Sequence, residues 1–399
     1  MTANATTMSA TQAQTEPGLD RVAVGLLLGF VASLQVSIAL ANILLSATLV
    51  VWVARLVRDR TRPAVPPFML PLLAYGAMTL VASAFSLDPV ESLIDSKQLL
   101  LFLLVPAVYD IARGRRAATV IDVIITVGAA SAAYGIVQYG MLHYDSLRLR
   151  PQGALTHYMT YSGVLMLVVC AATARLVFGS RDRTWPALVM PALVVALALT
   201  LSRNAWVGGC VAVGLLFMLK DFRLAALLPV VIALVFAFAP DGITDRMMSM
   251  FDLRDPTNQD RLAMAEIGAR IVQADPLTGV GPNMVPRVYA HYRPAYAINA
   301  SNPHLHNVPL QIAAERGLPA LAVWVWFIAT LTAGLFRSFR RGQQPVLTAT
   351  ALAAVAAMLA AGMFEYNFGD SEFLMLFLVL VTLPFAALRG DVAAAPHHV

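Results

Sequence analysis

The sequence is short of charge. Only 13% of its 399 residues are Asp, Glu, Lys or Arg, about half the share found in soluble domains, so a core of this size has no water-facing surface to match it. Cysteine is nearly absent. The two present, Cys170 and Cys210, lie inside apolar runs, which excludes a disulfide framework. The first residues, MTANATTMSATQAQTEPGLD, lack a basic stretch followed by a short apolar core, so no cleaved signal peptide is expected. The net charge of +5 does not point to nucleic acid, because most arginines stand at the ends of apolar runs, where orientation in a membrane accounts for them.

Apolar residues make up 59% of the chain. They recur in runs of about 17 to 25, the length that carries a helix across a hydrocarbon core of ~30 Å. The expected fold is an all-α polytopic membrane protein of about 12 transmembrane helices with one large periplasmic loop that itself contains helices. Spans are expected near 21–35, 37–57, 67–86, 97–112, 117–140, 155–177, 185–201, 204–220, 223–240, 306–336, 345–365 and 371–388. The first two form one apolar stretch, too long for one span and tight for two. The tenth begins outside the membrane and enters it near Gly317. The organisation is then a disordered cytoplasmic tail (1–20), helices one to nine (21–240), the loop (241–305), helices ten to twelve (306–389) and a second cytoplasmic tail (390–399).

Orientation follows from the basic residues. With both termini inside, the short inward turns collect Arg55, Arg58, Arg60 and Arg62, then Arg113, Arg115 and Arg116, then Arg175, Arg181 and Arg183. Lys220, Arg223, Arg337, Arg340, Arg341 and Arg389 follow the same bias. Lys97, Arg148, Arg150 and Arg203 oppose it on short outer segments. Either they snorkel at the interface or something outside retains them.

Within the outer loop, Thr257 to Asp260 resembles a capping box that opens a helix near 259–273. Met264, Ile267 and Ile271 share one face of it, as in an amphipathic helix lying on the bundle. Asp275-Pro276 stops it, and Leu277-Thr278-Gly279-Val280-Gly281-Pro282 makes a turn-rich connection. Tyr289, His291, Tyr292, Arg293, Tyr296 and Asn299 follow. They suit sugar binding, since aromatic faces stack on pyranose rings and amides read hydroxyls; the plain alternative is a lid without a ligand. Asp241, Asp245, Asp252, Asp255 and Asp260 lack the spacing of a calcium loop, so no metal site is expected there.

The strongest constellation is Pro303-His304-Leu305-His306-Asn307-Val308-Pro309-Leu310-Gln311, then Glu315-Arg316-Gly317. A histidine at the outer mouth of a helix can accept a proton at working pH. Asn307, Gln311 and Glu315 share a helical side, with His306 nearly opposite Glu315, so those two are not expected to form a dyad. Glu315 is expected to orient the local backbone or to pair with an arginine. His304 and His306, two apart, diverge by ~200° on a helix and could ligate one ion only if the segment is extended. Ser202-Arg203 closes an apolar run, and an arginine at membrane depth requires a partner. A diphosphate fits, since guanidinium matches two phosphate oxygens at once; a carboxylate such as Glu365 is the rival. Arg150, Gly153, His157 and Tyr158 mark another outer helix end, and Arg261 lies in the amphipathic helix. Together they suit a substrate with a diphosphate at headgroup level and a polar body outside.

These motifs, in this order, resemble the O-antigen ligase and polymerase superfamily. Leu201-Ser202-Arg203 closes a span, Arg261 follows in a helix after the ninth, then come Asp275-Pro276-Leu277-Thr278-Gly279-Val280-Gly281 and the His306-Asn307…Glu315-Arg316-Gly317 signature. Arg150 with Gly153 and His157 resembles the family's segment at the sixth span. The resemblance covers about residues 148–320. It implies transfer of a glycan from undecaprenyl diphosphate to an acceptor at the periplasmic face of a bacterial inner membrane, with inversion. In that picture His306 is the general base, while Arg203 and Arg261 hold the leaving diphosphate. Arg150, His157, Tyr158, Ser202, Asn307, Tyr292 and Arg293 contact substrate, and Glu315, Gly317, Gly279 and Gly281 give support. No cofactor or metal is expected, since arginines take the place of the cation, and the protein is expected to be a monomer among membrane lipids.

One outer loop of ~60 residues favours a ligase acting on lipid A-core over a polymerase extending lipid-linked O-antigen. A secondary transporter also fits about twelve spans, but it would carry repeated halves and midplane charges, and no internal repeat is present. A lipid-binding scaffold without catalysis is the remaining alternative.

Overall fold

The computed structural model of the chain describes residues 18–180, 183–238 and 241–392, and these are helical with no strand among them. The expected tails fall outside the described residues except for 18–20 and 390–392, which are helical. The first half contains α1 (Gly18–Ser33), α2 (Ile38–Arg58), α3 (Met69–Ala84), α4 (Pro89–Asp95), α5 (Leu104–Ile111), α6 (Arg116–Met141), α7 (Tyr158–Phe178) and α8 (Thr184–Leu199). The second contains α9 (Arg203–Lys220), α10 (Leu227–Phe238), α11 (Asp241–Met248), α12 (Pro256–Ala274), α13 (Val285–Tyr292), α14 (Val308–Arg340), α15 (Pro345–Gly362) and α16 (Ser371–Val392).

Among the described residues, seven helical segments are long and apolar enough to cross a membrane: α2, 89–111, α6, α7, α14, α15 and α16. The expected twelve are therefore not all matched. Met69–Ala84, Thr184–Leu199 and Phe222–Leu234 are apolar but shorter. The reason is local. The apolar run that ends α8 continues to Leu201, but Leu201 takes φ 53° and Ser202 starts a new helix in extended conformation. Sixteen residues then rise about 24 Å, less than the hydrocarbon core of ~30 Å. The stretch 89–111 is likewise not one α-helix, because a 3₁₀ segment, Ser96–Leu103, separates α4 from α5. The long apolar run at the N-terminus divides where the Ser37 side chain caps α2.

At the centre, α7, α9 and α15 pack on one another, with α16 against α7 and α15. The alanine-rich face of α15 and Gly208 of α9 let these backbones approach, as small residues do between membrane helices. A side chain at Gly208 would run into Met166 and the Ala357 carbonyl.

The segment between α10 and α14 has its own small core. Met264, Ile267 and Ile271 of α12 are buried with Val280, Met284, Val285, Tyr289 and Leu305, so the amphipathic face is the one expected, and α12 packs on α14. Its start is not. The cap is Asp255, whose Oδ1 accepts from the backbone N–H of Thr257 (3.0 Å) and Asn258 (3.2 Å), with Pro256 in the first turn, where its missing N–H costs nothing. The expected box at Thr257 to Asp260 is displaced by this arrangement.

A break in α14 joins the loop to the bundle. Gly317 has φ 79° and ψ 168°, and Pro319 lacks an N–H, so the helix cannot satisfy the carbonyls of Ala314 and Glu315. The loop does so instead: Val280 N–H donates to Ala314 O (3.0 Å) and Gly281 N–H to Glu315 O (2.9 Å). In return Leu318 N–H donates to Pro276 O (2.8 Å). Gly317 and Gly279 (φ 64°) interlock here, and a Cβ on either would collide with the other segment's backbone.

Candidate active site

His306 stands just before α14 with a left-handed backbone, φ 50°. That turn aims its ring at the segment joining α15 to α16, where His306 Nδ1 lies 2.8 Å from Glu365 Oε2. Burial works to raise the Glu365 carboxyl, but the His306 hydrogen bond and the neighbouring His306 and His304 outweigh it and hold it below the ordinary carboxylate range. An ionised Glu365 can only accept, so Nδ1 donates, which in the neutral ring leaves the lone pair on Nε2. Glu365 Oε1 accepts from its neighbour's N–H, Tyr366 (3.0 Å). His304 reaches the same carboxylate, Nε2 to Oε1 3.6 Å, and burial pushes its imidazole down to about 4. Glu365, expected as a possible partner of Arg203, is the partner of His306.

Arg203 turns the other way. Its Nη1 donates to the carbonyl (3.0 Å) and the hydroxyl (3.1 Å) of Ser249, and Nη2 lies 3.5 Å from Asp255 Oδ1. Arg246 reaches the other oxygen of that carboxylate at 3.9 Å and leaves its buried Nε without a partner. Arg150 donates to the carbonyl of Leu201 (3.4 Å), beside Ser202, and stacks its guanidinium 4.3 Å over the Tyr158 ring. Arg261 links the two halves, 5.9 Å over the ring of Phe364, next in the chain to Glu365. Burial first, then the charge of Arg203, lowers Arg261. Burial and then Arg203, Arg150 and Arg261, against Asp255, bring Arg246 down to about 10. Arg150, Arg246 and Arg261 are thus each lowered by burial and by the charge of Arg203, the electrostatic condition of an anion site.

Other expected residues have structural partners. His157 caps α7 through Nδ1, which accepts from Met159 N–H (3.3 Å), and stacks on Tyr158. Ser202 donates to the Thr200 carbonyl (3.3 Å). Asn307 caps α14, accepting from Leu310 N–H (2.9 Å) and donating to Met363 O (3.1 Å). Glu315 pairs with its neighbour Arg316 (2.9 Å), which also reaches the Tyr366 hydroxyl (3.3 Å). Tyr292 and Arg293 stand apart from both groups. The Tyr292 carbonyl accepts from Arg270, and Arg293 donates to the Ala297 carbonyl.

His304 lines two spaces, the larger of about 680 Å³ shared with Lys97, Gln311, Glu315 and Tyr366. A cavity of about 180 Å³ of mixed lining includes the polar residues His157, Thr160, Asn204, His304, Glu365 and Asp370 beside Met166 and Phe373. A wholly apolar cleft of about 410 Å³ runs between Val211, Val308, Pro309, Trp324, Leu359 and Met363.

Sequence reasoning missed two members, Glu365 as the histidine's partner and Arg246. A lone acid between Phe364 and Tyr366 at an outer helix end was the available signal for the first; nothing in sequence set Arg246 apart from its loop neighbours.

A histidine held by a carboxylate and a group of arginines thus stand in a chain with seven helical segments long and apolar enough to cross a membrane among its described residues. Residues 187–325, from α8 into α14, match the model of the O-antigen ligase family. The matched stretch carries Arg203, Arg246, Arg261 and His306. No curated protein matches the chain.

Proposed function

We propose that the protein is an O-antigen ligase that transfers a glycan from undecaprenyl diphosphate to lipid A-core at the periplasmic face of the inner membrane. The observation that carries this reading is the 2.8 Å contact of His306 with Glu365, with Arg261 over the neighbouring Phe364 ring and Arg203 interacting in turn with Arg261. Nε2 of His306 takes the proton of an acceptor hydroxyl as that oxygen attacks the anomeric carbon. The bond from that carbon to the diphosphate oxygen breaks with its electron pair, and the configuration inverts. Glu365 stabilises the imidazolium, as the third member of a catalytic triad does. Arg203, Arg246 and Arg261, with Arg150, offset the charge returning to the diphosphate, so the transfer itself requires no metal. The apolar cleft beside Val308 and Met363 accommodates part of the prenyl tail, and the cavity of mixed lining faces sugar.

The test is reconstitution with lipid-linked O-antigen and lipid A-core, following glycosylated lipid A on a gel. Product from wild type and none from His306→Ala is expected. Equal product from both would remove His306 as the base. A lengthened lipid-linked glycan instead would make the protein a polymerase, and neither product from a folded sample would favour a transporter.

A further inference from the structure

We infer that His304, His306 and Glu365 form a binding site for a transition-metal dication such as Zn2+, and that the bound ion switches transfer off. The site stands on geometry alone; the switching rests on the reading of His306 as the base.

Two imidazoles and one carboxylate are a ligand set that holds zinc. On a helix two residues apart they would point in opposite directions. The left-handed turn at His306 instead brings the two rings to 4.2 Å between centroids. One ligand atom from each of the three residues lies within 4.8 Å of the others. An ion with bonds of ~2.0–2.1 Å holds its ligands roughly 3.4 Å apart, so rotation of side chains closes the difference. A second observation is independent of that spacing. His304 Nδ1 is buried with no hydrogen-bond partner, and its Nε2 faces Glu365 at 3.6 Å, beyond hydrogen-bond length. The ring is 27% exposed, but a buried ring nitrogen left without a hydrogen bond is a ligand atom not yet used. The cavity of mixed lining touches His304 and Glu365, which gives an entry path and room for water as a fourth ligand. The positive charge of Arg261, which senses Glu365, weakens such a site relative to a structural zinc centre.

The chemistry of inhibition follows from tautomers. In the free enzyme Nδ1–H of His306 donates to Glu365 and Nε2 is the acceptor. An ion bound at Nδ1 takes that position, and the displaced proton moves to Nε2. No proton leaves the neutral ring, but Nε2 becomes a donor and the acceptor hydroxyl loses its base.

The experiment uses untagged, chelator-stripped protein in detergent, dialysed against Zn2+ alone, with metal counted by atomic emission. Wild type should hold one more zinc per chain than His304→Ala. Glu365→Gln, which keeps the side chain's shape, should weaken binding at least about tenfold. Monodisperse elution of both variants confirms their fold. Equal zinc on all three proteins overturns the site. In the transfer assay, zinc at the concentration that fills the site should stop wild type, with recovery on adding chelator. Binding without inhibition overturns the switch, and absence of transfer from zinc-free wild type overturns the ligase reading while the dialysis still decides the site.

Discussion

Glu365→Gln tests the reading of the base most directly. The substitution keeps volume and polarity but removes the charge that faces the His306 imidazolium as it forms. Nδ1 and Oε2 are 2.8 Å apart, which places the centres of the two delocalised charges about 4 Å apart, and at an effective dielectric of ~20 that attraction is about 4 kcal/mol. The side chain is 9% exposed, so solvent screens little of it. Because the imidazolium exists only after proton transfer, the loss falls on the transition state, and about 4 kcal/mol corresponds to ~10³-fold in kcat. The amide of glutamine can also donate to Nδ1, which would leave the proton on Nε2 and deepen the defect. Single-turnover transfer with saturating donor measures the effect, while donor KM should change little. A folded Glu365→Gln protein within tenfold of wild-type kcat would refute the idea that this carboxylate supports the base.

Arg261→Ala should lower kcat by ~10²–10³, the usual cost of removing one donor from a developing anion; a rise in KM alone would instead make it a ground-state contact. Gly317→Ala should destabilise the protein by about 1–3 kcal/mol, since φ 79° is strained for any Cβ and the space is filled by Leu277; a thermal midpoint unchanged in detergent would count against this. His304, pushed down to about 4 from an unfolded value of about 6.5, binds its proton less readily when folded. Stability is therefore lost as pH falls from about 6.5 to 4, by about 3 kcal/mol from this group. Glu365, held below its ordinary range, adds further loss below about 4.5. His304→Asn should flatten the first part of the slope in a pH series of thermal midpoints, and an unaltered slope would show that other groups cause it.

Much of the architecture was legible because membrane helices write their length in apolar residues. The buried face of α12, with Met264, Ile267 and Ile271, follows from local pattern. Pairing across distance does not. His306 and Glu365 are 59 residues apart, and neither periodicity nor motif spacing says that the α15–α16 connection returns to the mouth of α14. The helical wheel placed His306 opposite Glu315, but His306 precedes the helix in a left-handed turn, so the wheel had no bearing on it. The count of spans is matched only in part for a related reason. Hydropathy continues through Leu201, while the backbone turns there. The cap of α12 was readable from Asp255-Pro256, a cap followed by proline in the first turn, and was obscured by the competing pattern two residues later.

The exchange of hydrogen bonds at the α14 break limits how the outer segment can move. Swinging it away as a lid would strand the carbonyls of Ala314 and Glu315 and the amide of Leu318 together, at roughly 1–3 kcal/mol each if buried and unpaired. Ser92 fastens the same strip from α4 by donating to Pro282 O (2.7 Å). The turn 276–282 is thus riveted on two sides and behaves as a fixed doorframe. Substrates that come and go must pass through gaps whose width is set by side chains and by the far end around α13, with the frame itself standing still through each turnover.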